Sequence, residues 1–134
     1  MSFWCLAPSP LMLGGNLPDN TDADLALLTN DEVLAVDQDP LAAPAVRISQ
    51  KRDQEAHIEV WVRPLQDGGR AVGLFNRGET TADISLDWAE AGLLGKWTAR
   101  DLWEHKNMGD YDTRLTHSVL PHGSVLLKLT PTAK

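Results

Sequence analysis

The chain has 134 residues, 43% hydrophobic and 23% charged, enough for one ordinary globular domain with a core of its own. Its lone cysteine, Cys5, excludes an internal disulfide framework and a cysteine-based zinc site, and no apolar run reaches the roughly 18 residues that cross a bilayer. The net charge of −7 comes from seven acids that precede the first cation, Arg47; twelve acids and twelve bases balance beyond it, so no basic stripe exists to neutralise nucleic-acid phosphates.

The first element, Ser2 to Ala7, reads as the end of a helix. The N-terminus has no basic region and is interrupted by Pro8 and Pro10, which makes it a poor signal peptide. Pro10-Leu-Met-Leu13 is predicted as a short apolar strand and Gly14-Gly15-Asn16 as a turn. Thr21 with Asp24 three residues on forms an acidic capping box for a helix through Leu25 and Leu28. Asn30 caps a second helix, with Asp31 and Glu32 on its positive end and Val33, Leu34 and Val36 facing inward. Pro40 stops it and Pro44 marks a linker.

From Val46 the hydrophobic period becomes two. Ile58, Val60 and Val62 alternate with His57, Glu59, Trp61 and Arg63; Val72 and Leu74 alternate with Ala71, Gly73 and Phe75; Ile84, Leu86 and Trp88 form a third apolar row. Residues 96–103, 111–119 and 123–130 are further predicted strands, and Ala89–Leu93 a single helical turn. Turn signals fall at Asp67-Gly68-Gly69, Asn76-Arg77-Gly78, Asn107-Met108-Gly109 and Pro121-His122-Gly123. Six to eight short strands at this spacing predict a mainly β fold, an antiparallel sandwich.

Several phrases carry a family resemblance. Ser2-Phe3-Trp4, Ser9-Pro10-Leu11, Asp37-Gln38-Asp39-Pro40-Leu41, Glu59-Val60-Trp61 with Arg63-Pro64-Leu65, Ala71–Gly78, Arg100–Lys106 and Leu120–Ser124 resemble, in order, the C-terminal part of melibiase-type α-galactosidases. The resemblance implies two regions: residues 1–45 as the remnant of the final βα unit of a (β/α)8 TIM barrel, and residues 46–134 as an antiparallel β-sandwich domain. It also implies that the nucleophile and acid/base aspartates lie on earlier barrel strands, outside this chain. The expected function is therefore a supporting β-sandwich, the C-terminal fragment of a glycoside hydrolase, without catalysis of its own. The rival expectation is a stand-alone carbohydrate-binding sandwich.

Residues that could carry chemistry locally fit this expectation. Asp110 and Asp112 are predicted on one face of a strand about 7 Å apart, within the roughly 6.5–9.5 Å of an inverting carboxyl pair, but a solvated hairpin edge is the preferred reading. Asp37 and Asp39 read as capping and linker polarity, and Asp19, Asp22 and Asp24 depart from a calcium loop because Gly and the bidentate Glu are missing from its pattern. His57, His105, His117 and His122 lack metal-ligand spacing, so no metal and no cofactor is expected. Among Trp61, Trp88, Trp97 and Trp103, Trp61 is the candidate sugar platform, since it lies opposite the apolar row of its strand; core or interface packing is the competing role. Carbohydrate is thus one candidate partner, with no nucleic acid and no membrane. An unpaired barrel strand in residues 1–45 predicts self-association or a barrel partner through that segment.

Overall fold

A computed structural model describes residues 1–52 and 57–132. Three short helices come first: α1 (Ser2–Leu6), α2 (Asp22–Leu28) and α3 (Asp31–Asp37). The strands follow as β1 (Val46–Arg52), β2 (His57–Pro64), β3 (Arg70–Asn76), β4 (Ala82–Asp87), β5 (Trp97–Asp101), β6 (Lys106–Tyr111), β7 (Arg114–Val119) and β8 (Ser124–Pro131), with the one-turn helix α4 (Trp88–Ala91) after β4. Both predicted caps form: Thr21 and Asp24 exchange side-chain-to-backbone bonds at 3.2 and 2.9 Å, and Asn30 Oδ1 accepts from the Val33 amide at 3.0 Å. Among the described residues no helix is long and apolar enough to cross a membrane.

The alternation read from the sequence sets the layers. A six-stranded antiparallel sheet has the order β1-β2-β3-β8-β5-β6, and a two-stranded sheet, β4-β7, packs on one of its faces. Val60, Val62, Val72, Leu74 and Leu127 meet Ile84, Leu86, Leu115 and Val119 between the sheets, closed at one end by Trp88. Each such side chain, when fully buried, contributes about 1.5–3 kcal/mol. The predicted antiparallel sandwich is the observed architecture.

The second face of the large sheet is also covered. Cys5 and Leu6 of α1 and Val33 and Val36 of α3 pack on Leu65, Ala71, Phe75, Leu102 and Leu126. Strand β3 is therefore buried on both sides, and its Gly73 lets α1 approach: a Cβ there would lie 2.5 Å from Leu6 Cδ1 and 2.6 Å from Phe75 Cε2.

Three sequence expectations are corrected. Residues 10–13 form no strand among the described residues, because a strand needs a neighbour to exchange hydrogen bonds with and none lies beside them. Asn107-Met108-Gly109 lies inside β6 and is not a turn. The chain reverses earlier, over residues 102–105, where His105 adopts φ 51°, and Gly109 (φ 101°) accommodates a bulge against Ala99 and Arg100. The expected strand over 111–119 is accordingly split. Tyr111 ends β6 in the large sheet, residues 112–113 bend, and β7 belongs to the small sheet. Asp110 and Asp112 thus do not share a strand face.

Candidate functional site

Strand β2 presents Val60 and Val62 to the sandwich core, while Glu59, Trp61 and Arg63 point to the other face. Arg63 is 0% exposed, and its Nη1 donates to the carbonyls of Cys5 (2.6 Å) and Val36 (2.7 Å), in the last turns of α1 and α3. One cation thereby caps two helix C-termini, where carbonyls lack intrahelical partners and the dipole is negative. Arg63 Nε and Nη2 and Asp37 Oδ1 are buried without a hydrogen-bond partner among the described residues. Burial pushes the Asp37 carboxyl up, and the attraction of Arg63 opposes the rise. Burial, with a contribution from Asp37, pushes the Cys5 thiol up to about 11. Such a thiol is almost wholly protonated at neutral pH.

Glu59 is buried beside it. Trp61 Nε1 donates to Glu59 Oε2 at 2.8 Å, and Arg47, His57 and Arg77 approach Oε1 at 3.9, 3.6 and 3.6 Å. The Trp61 ring has the Arg47 guanidinium 5.7 Å from its centroid and the Phe3 ring edge-on at 5.0 Å. The candidate platform is therefore held between α1, β1 and its own strand.

A third cluster fastens α3 to the β5–β6 hairpin. Arg100 clasps Glu32 with Nε and Nη2, each at 2.6 Å; His105 Nδ1 lies 2.7 Å from Glu32 Oε1; Asn30 Nδ2 donates to the Leu102 carbonyl at 2.9 Å. Ligand-type atoms of Asp31, Glu32 and His105 lie within 4.8 Å of one another, yet both Glu32 oxygens are engaged by the guanidinium, so positive charge already stands where a metal ion would sit. The Arg100 hydrogen bonds hold the Glu32 carboxyl down at about 2, against an ordinary value of 4.5. A folded-state value below the unfolded one stabilises the fold above about pH 4.5, and the contribution is lost as pH falls toward 2. Glu32→Gln is therefore expected to destabilise the chain near neutral pH, with the gap to the parent narrowing in urea titrations near about pH 2.5. A gap independent of pH contradicts this role.

Three further acids hold local bonds. Asp39 accepts the Leu41 and Gln66 amides, joining the linker to the β2–β3 turn; Asp19 accepts Asn16 Nδ2 at 2.7 Å; Asp110 accepts Thr98 Oγ1 at 2.7 Å and faces Lys96 at 3.7 Å. A concave apolar feature lies elsewhere, on the outer side of the helices. An open apolar groove of about 450 Å³ is lined by Met1, Trp4, Leu11, Met12, Leu27 and Leu34 among others, and Leu25 and Leu27 leave α2 with no buried residue.

Residues 55–129 match the family model of the alpha galactosidase C-terminal beta sandwich domain. The chain belongs to that family. It is 38% identical to alpha-galactosidase 2 of Arabidopsis thaliana over 131 residues, 96% of this chain and 32% of that relative. Alpha-galactosidase I of Mortierella vinacea superposes with a TM-score of 0.89 at 30% identity, over 99% of this chain and 34% of that structure. A GH27 β-L-arabinopyranosidase from Geobacillus stearothermophilus superposes with a TM-score of 0.88 at 34% identity, over 98% and 29%. The chain thus spans between a fifth and about a third of the length of the curated relatives it matches.

For this sandwich-domain chain, sequence reasoning found the caps and the β2 alternation but missed the buried anchor Arg63, and Asn76, which is 1% exposed and donates to the Thr80, Val119 and Leu120 carbonyls. It also missed the Glu32–Arg100–His105 cluster, whose members lie 68 and 73 residues apart. The signal for Arg63 was present in its place on the same strand face as Trp61. No local pattern joins Glu32 to the hairpin.

Proposed function

We propose that the chain is the non-catalytic, supporting part of an α-galactosidase-type glycoside hydrolase. In this reading residues 1–45 complete the last βα unit of a catalytic (β/α)8 barrel, and residues 46–134 form the sandwich that braces it. The observation that carries the proposal is the outer face of the helical layer. Trp4 is 51% exposed, Met12 86%, Leu25 44% and Leu27 45%, around a groove whose opposite wall is solvent. A contiguous apolar face of this kind marks an interaction site. The barrel supplies the two carboxylates of a double displacement on terminal α-linked galactose. The sugar is chosen by barrel loops, in keeping with one sandwich architecture occurring both in an α-galactosidase and in a β-L-arabinopyranosidase.

The test separates the chain from its activity. The pure chain is expected to leave 4-nitrophenyl α-D-galactopyranoside intact. A barrel polypeptide expressed without its sandwich is expected to co-purify with the chain and gain activity, and Trp4→Glu with Leu27→Glu to abolish both effects. Turnover by the chain alone that disappears in Asp110→Asn or Asp112→Asn overturns the proposal. Sedimentation showing only homodimers, undisturbed by the barrel polypeptide, assigns the face to a second copy instead.

A further inference from the structure

We propose that a second groove, where β7 meets the β5–β6 turn and the start of β8, binds a single neutral pyranose. The groove has a volume of about 290 Å³, lined by Asp101, Trp103, Glu104, His117, Ser118 and Ser124 among others. This is at the lower edge of the ~300–1,000 Å³ typical of small-molecule sites, and suits one small ring better than an extended chain.

The lining determines what kind of ring. Trp103 is half-buried, and its indole N–H donates to Ser2 Oγ at 2.8 Å, an oxygen that also accepts from Ser124 Oγ at 3.2 Å. The ring is therefore fixed before any ligand arrives, which reduces the ordering cost of binding. Asp101 is only 6% exposed, and its Oδ1 accepts the Trp103 and Glu104 amides at 2.9 and 3.0 Å. No cation lies within ion-pair distance of Asp101 or Glu104 among the described residues. His117 Nδ1 sits 2.9 Å from the Ser118 carbonyl, which can only accept, so Nδ1 carries the proton and Nε2 of the neutral ring is an acceptor.

The groove thus combines an apolar lining, Trp103 with Val119, Leu120 and Val125, with carboxylate and imidazole acceptors, and has no lysine or arginine among the residues that line it. It repels anions. It favours a ligand with several hydroxyl donors and a C–H face to lay on an indole, which is the chemistry of an uncharged sugar. The site is separate from the apolar helical face and does not depend on the barrel reading. It also differs from the Trp61 position, whose ring lies against the Arg47 guanidinium and the Phe3 ring.

Saturation-transfer NMR on the full chain tests this with methyl α- and β-D-galactopyranoside, with sodium galacturonate and calcium chloride as controls. The expected result is transfer to the ring protons of a neutral glycoside with Kd on the order of 1 mM, and none to the uronate. Glu104→Gln and His117→Ala, at the accessible rim, are expected to weaken binding about tenfold while leaving Tm unchanged. Trp103→Phe preserves an aromatic ring should Trp103→Ala fail to fold, and is expected to reduce transfer. Absence of transfer to either glycoside overturns the proposal. So does binding unaffected by Glu104→Gln and His117→Ala, binding lost only in Trp61→Phe, or a calcium response at the groove without sugar binding.

Discussion

Arg63→Ala is expected to lower the unfolding free energy by about 3–5 kcal/mol, the range seen when one member of a buried charged network is removed. The substitution takes the Arg63 donor from the Cys5 carbonyl, leaves the Val36 carbonyl only the Asp39 amide at 3.4 Å, empties the volume of a fully buried side chain, and takes from Asp37 the cation that opposes its upward shift. A buried acceptor left without its donor costs about 1–3 kcal/mol before any cavity contributes. Arg63→Met separates the causes. It retains most of the volume and removes two nitrogens, Nε and Nη2, that are buried without partners, so its loss should be clearly smaller than that of alanine. Urea titrations give the magnitudes, and hydrogen exchange places the effect in α1 and α3. An alanine variant within about 0.5 kcal/mol of the parent would mean that the seam is not held by this residue.

Asn76→Asp should have a similar effect for an electrostatic reason. Asn76 is 1% exposed at the end of β3, and its Nδ2 donates to the carbonyls of Thr80 (2.7 Å), Val119 (2.9 Å) and Leu120 (3.2 Å), while Oδ1 accepts the Gly78 amide at 2.9 Å. This one amide ties the large sheet to the end of the small sheet and to the loop between β3 and β4. An aspartate of the same shape sets a carboxylate against three carbonyl oxygens, at a cost of about 3 kcal/mol or more. Its folded-state pKa must rise above the unfolded ~3.9, so the variant loses stability as pH rises through that value and recovers part of it below about pH 4. Asn76→Ala loses the same hydrogen bonds without adding charge, and its deficit should not depend on pH in this way. Thermal unfolding of both variants across the acid range decides the matter, and identical pH profiles would reject the electrostatic explanation.

These two residues show where reading the sequence stops short. Period-two alternation places Arg63 opposite Val60 and Val62, which on its own describes a solvent-facing position. It becomes interior because helices from residues 2–6 and 31–37 cover that face, a long-range event that no window of sequence contains. Asn76 reads as a turn residue because it precedes Arg77-Gly78, and the Gly78 bond is indeed of that kind. Its contacts 43 and 44 residues away are not legible. The Thr21–Asp24 box was visible because both partners lie within one helical turn. Strand β6 was not, because Lys106–Tyr111 has a glycine and little apolar alternation, and pairs with β5 through backbone bonds at an exposed edge. The groove at Trp103 has the same character: its tryptophan was noted as one aromatic among several, but Asp101, His117 and Ser124 reach it from three different strands, β5, β7 and β8.

The buried thiol of Cys5 gives the chain an intrinsic clock. With no accessible sulfur and a pKa raised to about 11, it stays silent toward thiolate-seeking reagents while α1 rests on the sheet. Each lifting of the helix both exposes the sulfur and returns it to ordinary acidity. The rate of its labelling then counts how often the helical layer lets go of the sheet beneath it, without any probe having to be engineered.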